Sequence, residues 1–308
     1  MYNTRLVFYS ACIGMLLFGS GLITLGAVAP ELKEKFQLDD ISSGTLFSIL
    51  PLGILAGSLL FGPLCDRYGY RILLGISSLL MFAGFEGIAF SRSLGVLKIC
   101  IFFFGFGGGS INGGTNAVVA DISANKKGAN LSLLGVFFGL GALSMPFILG
   151  VLKSIFSSEG IVATVGIFAL PAAFFFFIIK FPPPKQNQEF PLKKIMELLK
   201  DKVLLLIAFF LFCQSSFEGI INNWTTFYLI QHLGIEEKKA LYALSLYLVG
   251  MTTMRLLSGS IFRTVPPKKL LVASFFLILS GCIFLKSGNT FATSSNCSEF
   301  VINLENSS

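Results

Sequence analysis

Apolar residues arrive in long blocks rather than in a short amphipathic alternation. Nine stretches stand out, at 6–29, 42–64, 72–90, 95–119, 129–152, 161–180, 203–230, 240–262 and 269–286. A helix crossing the hydrocarbon core of a bilayer needs about 20 predominantly apolar residues. The pattern therefore predicts an all-α chain with nine membrane spans joined by polar connections. The first block has Arg5 ahead of it, and Ala27-Val28-Ala29 mimics a signal cleavage site. Its apolar core exceeds the roughly 7–15 residues of a secretory signal, and eight more spans follow, so it reads as a retained first helix.

The longest internal connection follows the sixth span. Phe181-Pro-Pro-Pro-Lys185 leads into a short basic amphipathic stretch at 191–201. A Pro-rich stop followed by a surface helix reads as a linker between two halves. Gly62 and Gly259, at the ends of the second and eighth spans, stand 197 residues apart, and the same offset maps 7–29 onto 204–226. The expected organisation is a six-helix bundle over 1–180, a basic linker over 181–202 and a partial second bundle over 203–286. Residues 287–308 form a polar tail without a span, expected to be disordered.

Composition agrees. Hydrophobic residues make up 54% of the 308, charged residues 13%, and the mean hydropathy is +0.80. A soluble domain carries about 25% charged residues. The net charge of +7 would suit nucleic acid, but the basic residues sit in short loops, so they read as topology signals. Arg5, Arg67, Arg71, Lys126, Lys127, the linker lysines, Arg263, Lys268 and Lys269 fall on one side, which takes the larger share of the 23 basic residues. That bias places the N-terminus in the cytoplasm of a plasma (inner) membrane.

The six cysteines, at 12, 65, 100, 213, 282 and 297, show no CxxC spacing, and His232 is the single histidine. Zinc, haem and Ser/His/Asp catalysis lack their usual parts. No enzyme, metal or cofactor is expected.

After the second span comes Gly62-Pro-Leu-Cys-Asp66-Arg67-Tyr-Gly69-Tyr-Arg71. Glycines at both ends, a carboxylate at a helix terminus and two arginines describe a tight charged turn. This G-x-x-x-D-R-x-G-x-R spacing resembles the signature loop of the major facilitator superfamily. The resemblance implies a major-facilitator helical bundle, with a complete first half and about three helices of the second. Its counterpart, Gly259-Ser-Ile-Phe-Arg263, lacks the acid. Within the superfamily, Gly113-Gly-Thr-Asn116-Ala-Val-Val-Ala-Asp121, Glu218-Gly-Ile-Ile-Asn-Asn-Trp224 and Met251-Thr-Thr-Met-Arg255 resemble the fucose-permease-type sugar–proton symporters. Where many fucose permeases carry an acid followed by an Asn-Pro pair, this chain has Asn112 and Asn116-Ala117.

Ionisable and polar groups inside spans mark a pathway or a pair. Gln214, Glu218, Asn222 and Thr225 share one face of the seventh span, as do Asn112, Thr115 and Asn116 in the fourth, and Ser20 and Thr24 in the first. The resemblance implies that these spans, with a tenth, line a central cavity. Without the tenth, the polar faces would open toward lipid. Substrate contact and interhelical hydrogen bonding both fit Asn112, Asn116, Gln214 and Asn222. Trp224, the single tryptophan, suits either an interfacial belt or sugar stacking. Glu218 and Arg255 are expected to pair. Arg71 and Asp121 share a membrane face and are expected to pair as a gate, with Asp66 capping a neighbouring helix. Glu86 has no assigned partner.

Gly105-Phe-Gly107-Gly-Gly109 lies inside a span and reads as helix packing, not a nucleotide loop. Pro146 reads as a kink. Together these features point to a monomeric secondary transporter of a small polar solute, a sugar, coupled to protons and embedded in the bilayer. The alternatives are an exporter of drugs or metabolites on the same fold, and a truncated, non-transporting remnant.

Overall fold

The computed structural model describes residues 2–123, 127–183, 200–231, 233–259 and, beyond these, 266, 269, 272–277 and 279–280. Asn3 opens the first helix, its Oδ1 accepting from the backbone N–H of Arg5 at 3.0 Å, so that α1 runs Thr4–Ala27. A short helix, α2 (Ala29–Lys35), turns off its end. Asp39 then caps α3 by accepting from the Ser42 N–H at 2.9 Å. Side-chain capping of this kind satisfies donors that a helix start leaves open.

The second and third spans are one continuous element, α3 (Asp40–Phe90), broken only at Gly69, where φ is 77° and ψ is 161°. A side chain is strained at that φ, and glycine is not. The signature turn is thus a single-residue reversal inside a helix pair. Next come α4 (Leu94–Ile122), α5 (Lys127–Leu152), α6 (Ser158–Ile167) and α7 (Ala169–Ile178). The sixth span is therefore two helices meeting at Phe168. Finally, α8 (Lys202–Gln231) and α9 (Glu237–Gly259) supply the seventh and eighth spans. Pro146 sits inside α5 without interrupting it.

Of the expected ninth span, 269, 272–277 and 279–280 are described, and all are helical. His232, Lys126, the body of the basic linker, the Ser260–Arg263 part of the second signature loop and the tail at 287–308 lie outside the described residues. Seven described segments are long and apolar enough to cross a membrane, and one of them, 41–90, holds two spans. The described residues contain no strand. Residues 1–259 form one compact unit, and 260–308 a second.

Glycine stripes set the spacing of the first unit. A Cβ on Gly53 or Gly57 would strike the carbonyl oxygens of Phe102 or Phe106, and one on Gly105 or Gly109 those of Leu50 or Ile54. The first half of α3 and α4 therefore meet backbone to backbone, as small residues allow in lipid. Ser110 Oγ also donates across to the Gly57 carbonyl at 3.3 Å. The reading of Gly105–Gly109 as a packing surface agrees with this. The pair α1 and α5 is built the same way, with Gly19 against the Phe138 carbonyl and Gly141 against that of Leu16. Between these pairs lies a core that includes Phe85, Phe104, Phe176, Leu74 and Met81, each at most 1% exposed.

Candidate functional site

The two expected ions meet. Glu218, near the middle of α8, and Arg255, on α9, approach to 3.7 Å between Oε1 and Nη2. Glu218 also accepts a hydrogen bond from Gln214 Nε2 at 3.1 Å, one turn earlier on the same face. The Arg255 guanidinium lies 4.8 Å from the ring centroid of Phe138 on α5, and its Nη2 is 3.9 Å from Met251 Sδ. Tyr247 stands within the electrostatic reach of both ions. Residues 247, 251 and 255 are spaced one turn apart, so they share a face of α9.

Phe138, Tyr247 and Met251 were not legible as site residues. An aromatic or thioether in an apolar span carries no signal of its own, although the four-residue spacing back from Arg255 could have flagged the last two. Cation–π contact, a carboxylate and a glycine face on α5 (Gly135 sits beside the Arg255 side chain) together accommodate a cation at membrane depth.

Asn112 and Asn116 satisfy each other: Asn116 Nδ2 donates to both Oδ1 and the carbonyl of Asn112 at 2.9 Å. Ser20, Thr24 and Thr115 donate to carbonyls of their own helices. Ser20, Thr24, Thr115 and Asn222 are at most 3% exposed. The expectation that the polar faces open toward lipid is therefore corrected for Ser20, Thr24, Thr115 and Asn222, which packing of α1 against α4, α5 and α8 covers, whereas Gln214 is exposed and Asn112, Asn116 and Glu218 are half-buried.

Asn222 and Asn223 sit where α8 crosses the end of α1. A Cβ on Gly26 would strike the Asn222 carbonyl, and Thr226 Oγ1 donates to the Gly26 carbonyl at 2.7 Å. The Oδ1 atoms of both asparagines are buried without a hydrogen-bond partner among the described residues. Such acceptors cost free energy until a donor arrives. Trp224 is half-buried, 5.1 Å from Phe47 and 5.6 Å from Phe227. It is packed into an aromatic cluster. Lys33 lies over the Phe227 ring at 4.4 Å.

At this same end of the bundle, Lys153 pairs with both Glu31 of α2 and Glu237 of α9. Burial by itself would lower the Lys153 ammonium, but the two carboxylates outweigh it and hold the group above its ordinary range. Ser158 Oγ donates to Glu31 at 2.6 Å, and Lys35 pairs with Glu159 at 2.6 Å. By contrast, residues 202–217 of α8 are exposed throughout. The α1–α8 contact is thus confined to the Lys153 end.

The signature loop lies at the opposite end. Arg71 Nε donates to the Phe177 carbonyl of α7. Tyr70 reaches Asp121, its hydroxyl 3.4 Å from Oδ2. The expected Arg71–Asp121 pair is not among the ion pairs of the described residues. Asp66 is half-buried and caps no helix among them. Arg67 stacks over Tyr68 at 5.4 Å. Nothing lies within 4 Å of a Cβ built on Gly62. Glu86 faces Gly166 of α6. No cluster of metal-ligating side chains is present among the described residues.

Comparison with known proteins places these features in a family. The family model "Major Facilitator Superfamily" matches residues 11–297. A D-xylose transporter of Levilactobacillus brevis is 26% identical over 174 residues, 56% of this chain and 38% of that protein. A cis,cis-muconate transport protein of Acinetobacter baylyi is 25% identical over 272 residues, 83% of this chain and 64% of that protein. The chain thus spans less than two thirds of the length of either relative. Among solved structures, a D-xylose-proton symporter superposes with a TM-score of 0.65 at 16% identity, covering 82% of this chain and 67% of that one. The partially occluded inward-open xylose transporter XylE from E. coli gives 0.62 at 18% identity, covering 88% and 75%. These likenesses show the all-α bundle fold. The chain belongs to the Major Facilitator Superfamily and is an integral, multi-pass membrane protein.

Proposed function

We propose that the chain provides the membrane machinery of a secondary active transporter that moves a small polar solute, a sugar, with protons by alternating access. The Glu218–Arg255 pair carries this reading. A carboxylate 3.7 Å from a guanidinium at mid-membrane depth is a costly arrangement that persists where it does work. Protonation of Glu218 releases Arg255, and a neutral carboxyl then offers a donor as well as an acceptor to a hydroxylated solute. Asn222 and Asn223, with unfilled buried acceptors, supply further contacts one turn away on α8, together with Asn112 and Asn116 on α4. Trp224 offers a ring for stacking. The names of the xylose-transporting relatives support the sugar class. The basic loops support an N-terminus in the cytoplasm of the plasma (inner) membrane. In that orientation the bundle is closed at its outer end by Lys153 and its carboxylates, and the signature loop faces the cytoplasm. The transporter works as a monomer.

The test is uptake by proteoliposomes. Accumulation of labelled D-xylose by the purified chain under an inward proton gradient would support the reading, and Glu218→Gln should then abolish gradient-driven accumulation while sparing counterflow. Accumulation by Glu218→Gln equal to wild type overturns the coupling assignment. A second reading, an organic-anion substrate, is favoured by the muconate-transporting relative and by the cation at Arg255. Uptake of labelled cis,cis-muconate without uptake of any sugar would establish it.

A further inference from the structure

At the end of the bundle opposite Lys153 there is an open surface cavity of about 450 Å³, largely apolar in its lining, bordered by residues that include Tyr2, Tyr70, Arg71, Lys180 and Phe181. Among the described residues, two cations and no acidic side chain line it. Arg71 is anchored there by its Nε bond to the Phe177 carbonyl. Neither of its Nη groups has a hydrogen bond or ion pair among the described residues. A guanidinium held by Nε presents its two Nη groups as a fork, the geometry that matches two oxygens of one phosphate. Lys180 is exposed and lies two residues beyond the end of α7. It therefore sits where a span meets the headgroup layer, with a stem long enough to bring its ammonium to a phosphate beside Arg71. Tyr70 and Phe181, with ring centroids 6.3 Å apart, and Tyr2 give the rim the amphipathic aromatic character of a membrane interface.

We propose that this cavity is a phosphate-binding site, taking one singly charged phosphate group at headgroup depth. The two sources with this chemistry are an anionic phospholipid and a free phosphate. The site is separate from the Glu218–Arg255 region and does not rest on the transport reading. Arg71 holds one edge of the phosphate with its fork and Lys180 neutralises the remaining charge. The phosphate thereby ties the start of the second half of α3 to the end of α7, and a basic patch facing the headgroup layer selects anionic over zwitterionic lipid.

Native mass spectrometry of the purified full chain tests this with dioleoyl phosphatidylglycerol and dioleoyl phosphatidylcholine at equal concentration. Wild type is expected to retain phosphatidylglycerol on the order of 25-fold over phosphatidylcholine, about five-fold for each of the two cations near the surface. Lys180→Gln and Arg71→Gln should each reduce the preference, and the double variant should abolish it. Arg71→Lys, which keeps the charge but loses the fork, covers the case in which Arg71→Gln fails to fold. Arg67→Gln removes a cation of the same loop that does not line the cavity, and should keep the wild-type preference. Displacement of the lipid by excess inorganic phosphate would support the site and assign it to free phosphate. Retention of lipid against that excess would support it and assign it to a headgroup. An undiminished preference in the Arg71→Lys/Lys180→Gln variant overturns the proposal. So does an equal loss in Arg67→Gln, because the effect would then be general surface charge.

Discussion

Lys153, one residue beyond α5, pairs with Glu237, the first residue of α9, and joins the first six spans to the eighth through a contact outside the hydrocarbon. Glu31 takes the same ammonium from the other side, so three elements converge on one cation.

Lys153→Met should lower stability by about 1 kcal/mol, the scale of a partly screened ion pair. The pH dependence has a definite sign. A cation held above its ordinary 10.5 contributes fully below that pH, and the contribution disappears as pH rises through the folded-state value. While Glu31 and Glu237 stay ionised, the gap in melting temperature between wild type and Lys153→Met is expected to be constant up to pH 10.5 and to close above it. A gap that stays open in strong alkali contradicts the pairing.

Glu218 and Arg255 should behave as a coupled pair. Arg255 is 36% exposed and Glu218 18%, so solvent screens part of their attraction. Glu218→Gln, Arg255→Leu and the double variant form a cycle whose coupling energy should be about 0.5–1.5 kcal/mol. Additive losses, measured by detergent-solubilised thermal unfolding, would show that the two ions do not interact.

Gly26→Ala should pry open the closed end of the bundle. Its Cβ has no space against the Asn222 backbone, whereas a Cβ at Gly44 meets nothing within 4 Å. Trp224, the single tryptophan, reports the change because it packs on Phe47 and Phe227 nearby. Acrylamide quenching of its fluorescence is expected to rise in Gly26→Ala and to be unchanged in Gly44→Ala. Equal quenching in both would refute the tight crossing of α1 and α8.

Two threonines offer a matched comparison. Thr226 donates across helices to the Gly26 carbonyl, and Thr164 donates to Gly160 of its own helix at the surface. Thr226→Val should cost about 1 kcal/mol, since it leaves a buried carbonyl short of a tertiary donor. Thr164→Val should stay within about 0.5 kcal/mol of wild type.

Charge exchange between Arg71 and Asp121 should not restore what either single reversal loses. Arg71 is engaged by Phe177, and Tyr70 is a neighbour that reaches Asp121. Recovery of stability in the Arg71→Asp/Asp121→Arg variant would reinstate the pairing that their shared membrane face suggests.

The sequence by itself determined the spans, because burial in lipid imposes a length and an apolarity that need no partner. It also placed a tight turn within Gly62–Arg71, since spacing and glycine content are local properties, though only the structure put the reversal at Gly69, and it found Glu218 and Arg255, since an ion in an apolar run is conspicuous wherever it packs. Tertiary structure alone decided which polar groups meet. Arg71 and Asp121 lie at the same face, yet a helix end such as Phe177 presents carbonyls that no residue pattern announces, and Arg71 takes one of them. Lys153, Glu31 and Glu237 lie far apart in sequence, and their meeting depends on how α2, α5 and α9 end in space. Phe138 became a cation's partner only through the glycine-set approach of α5 to its neighbours. Local physics fixes where helices begin, turn and end, whereas the pairing of their side chains follows from distances that only packing creates.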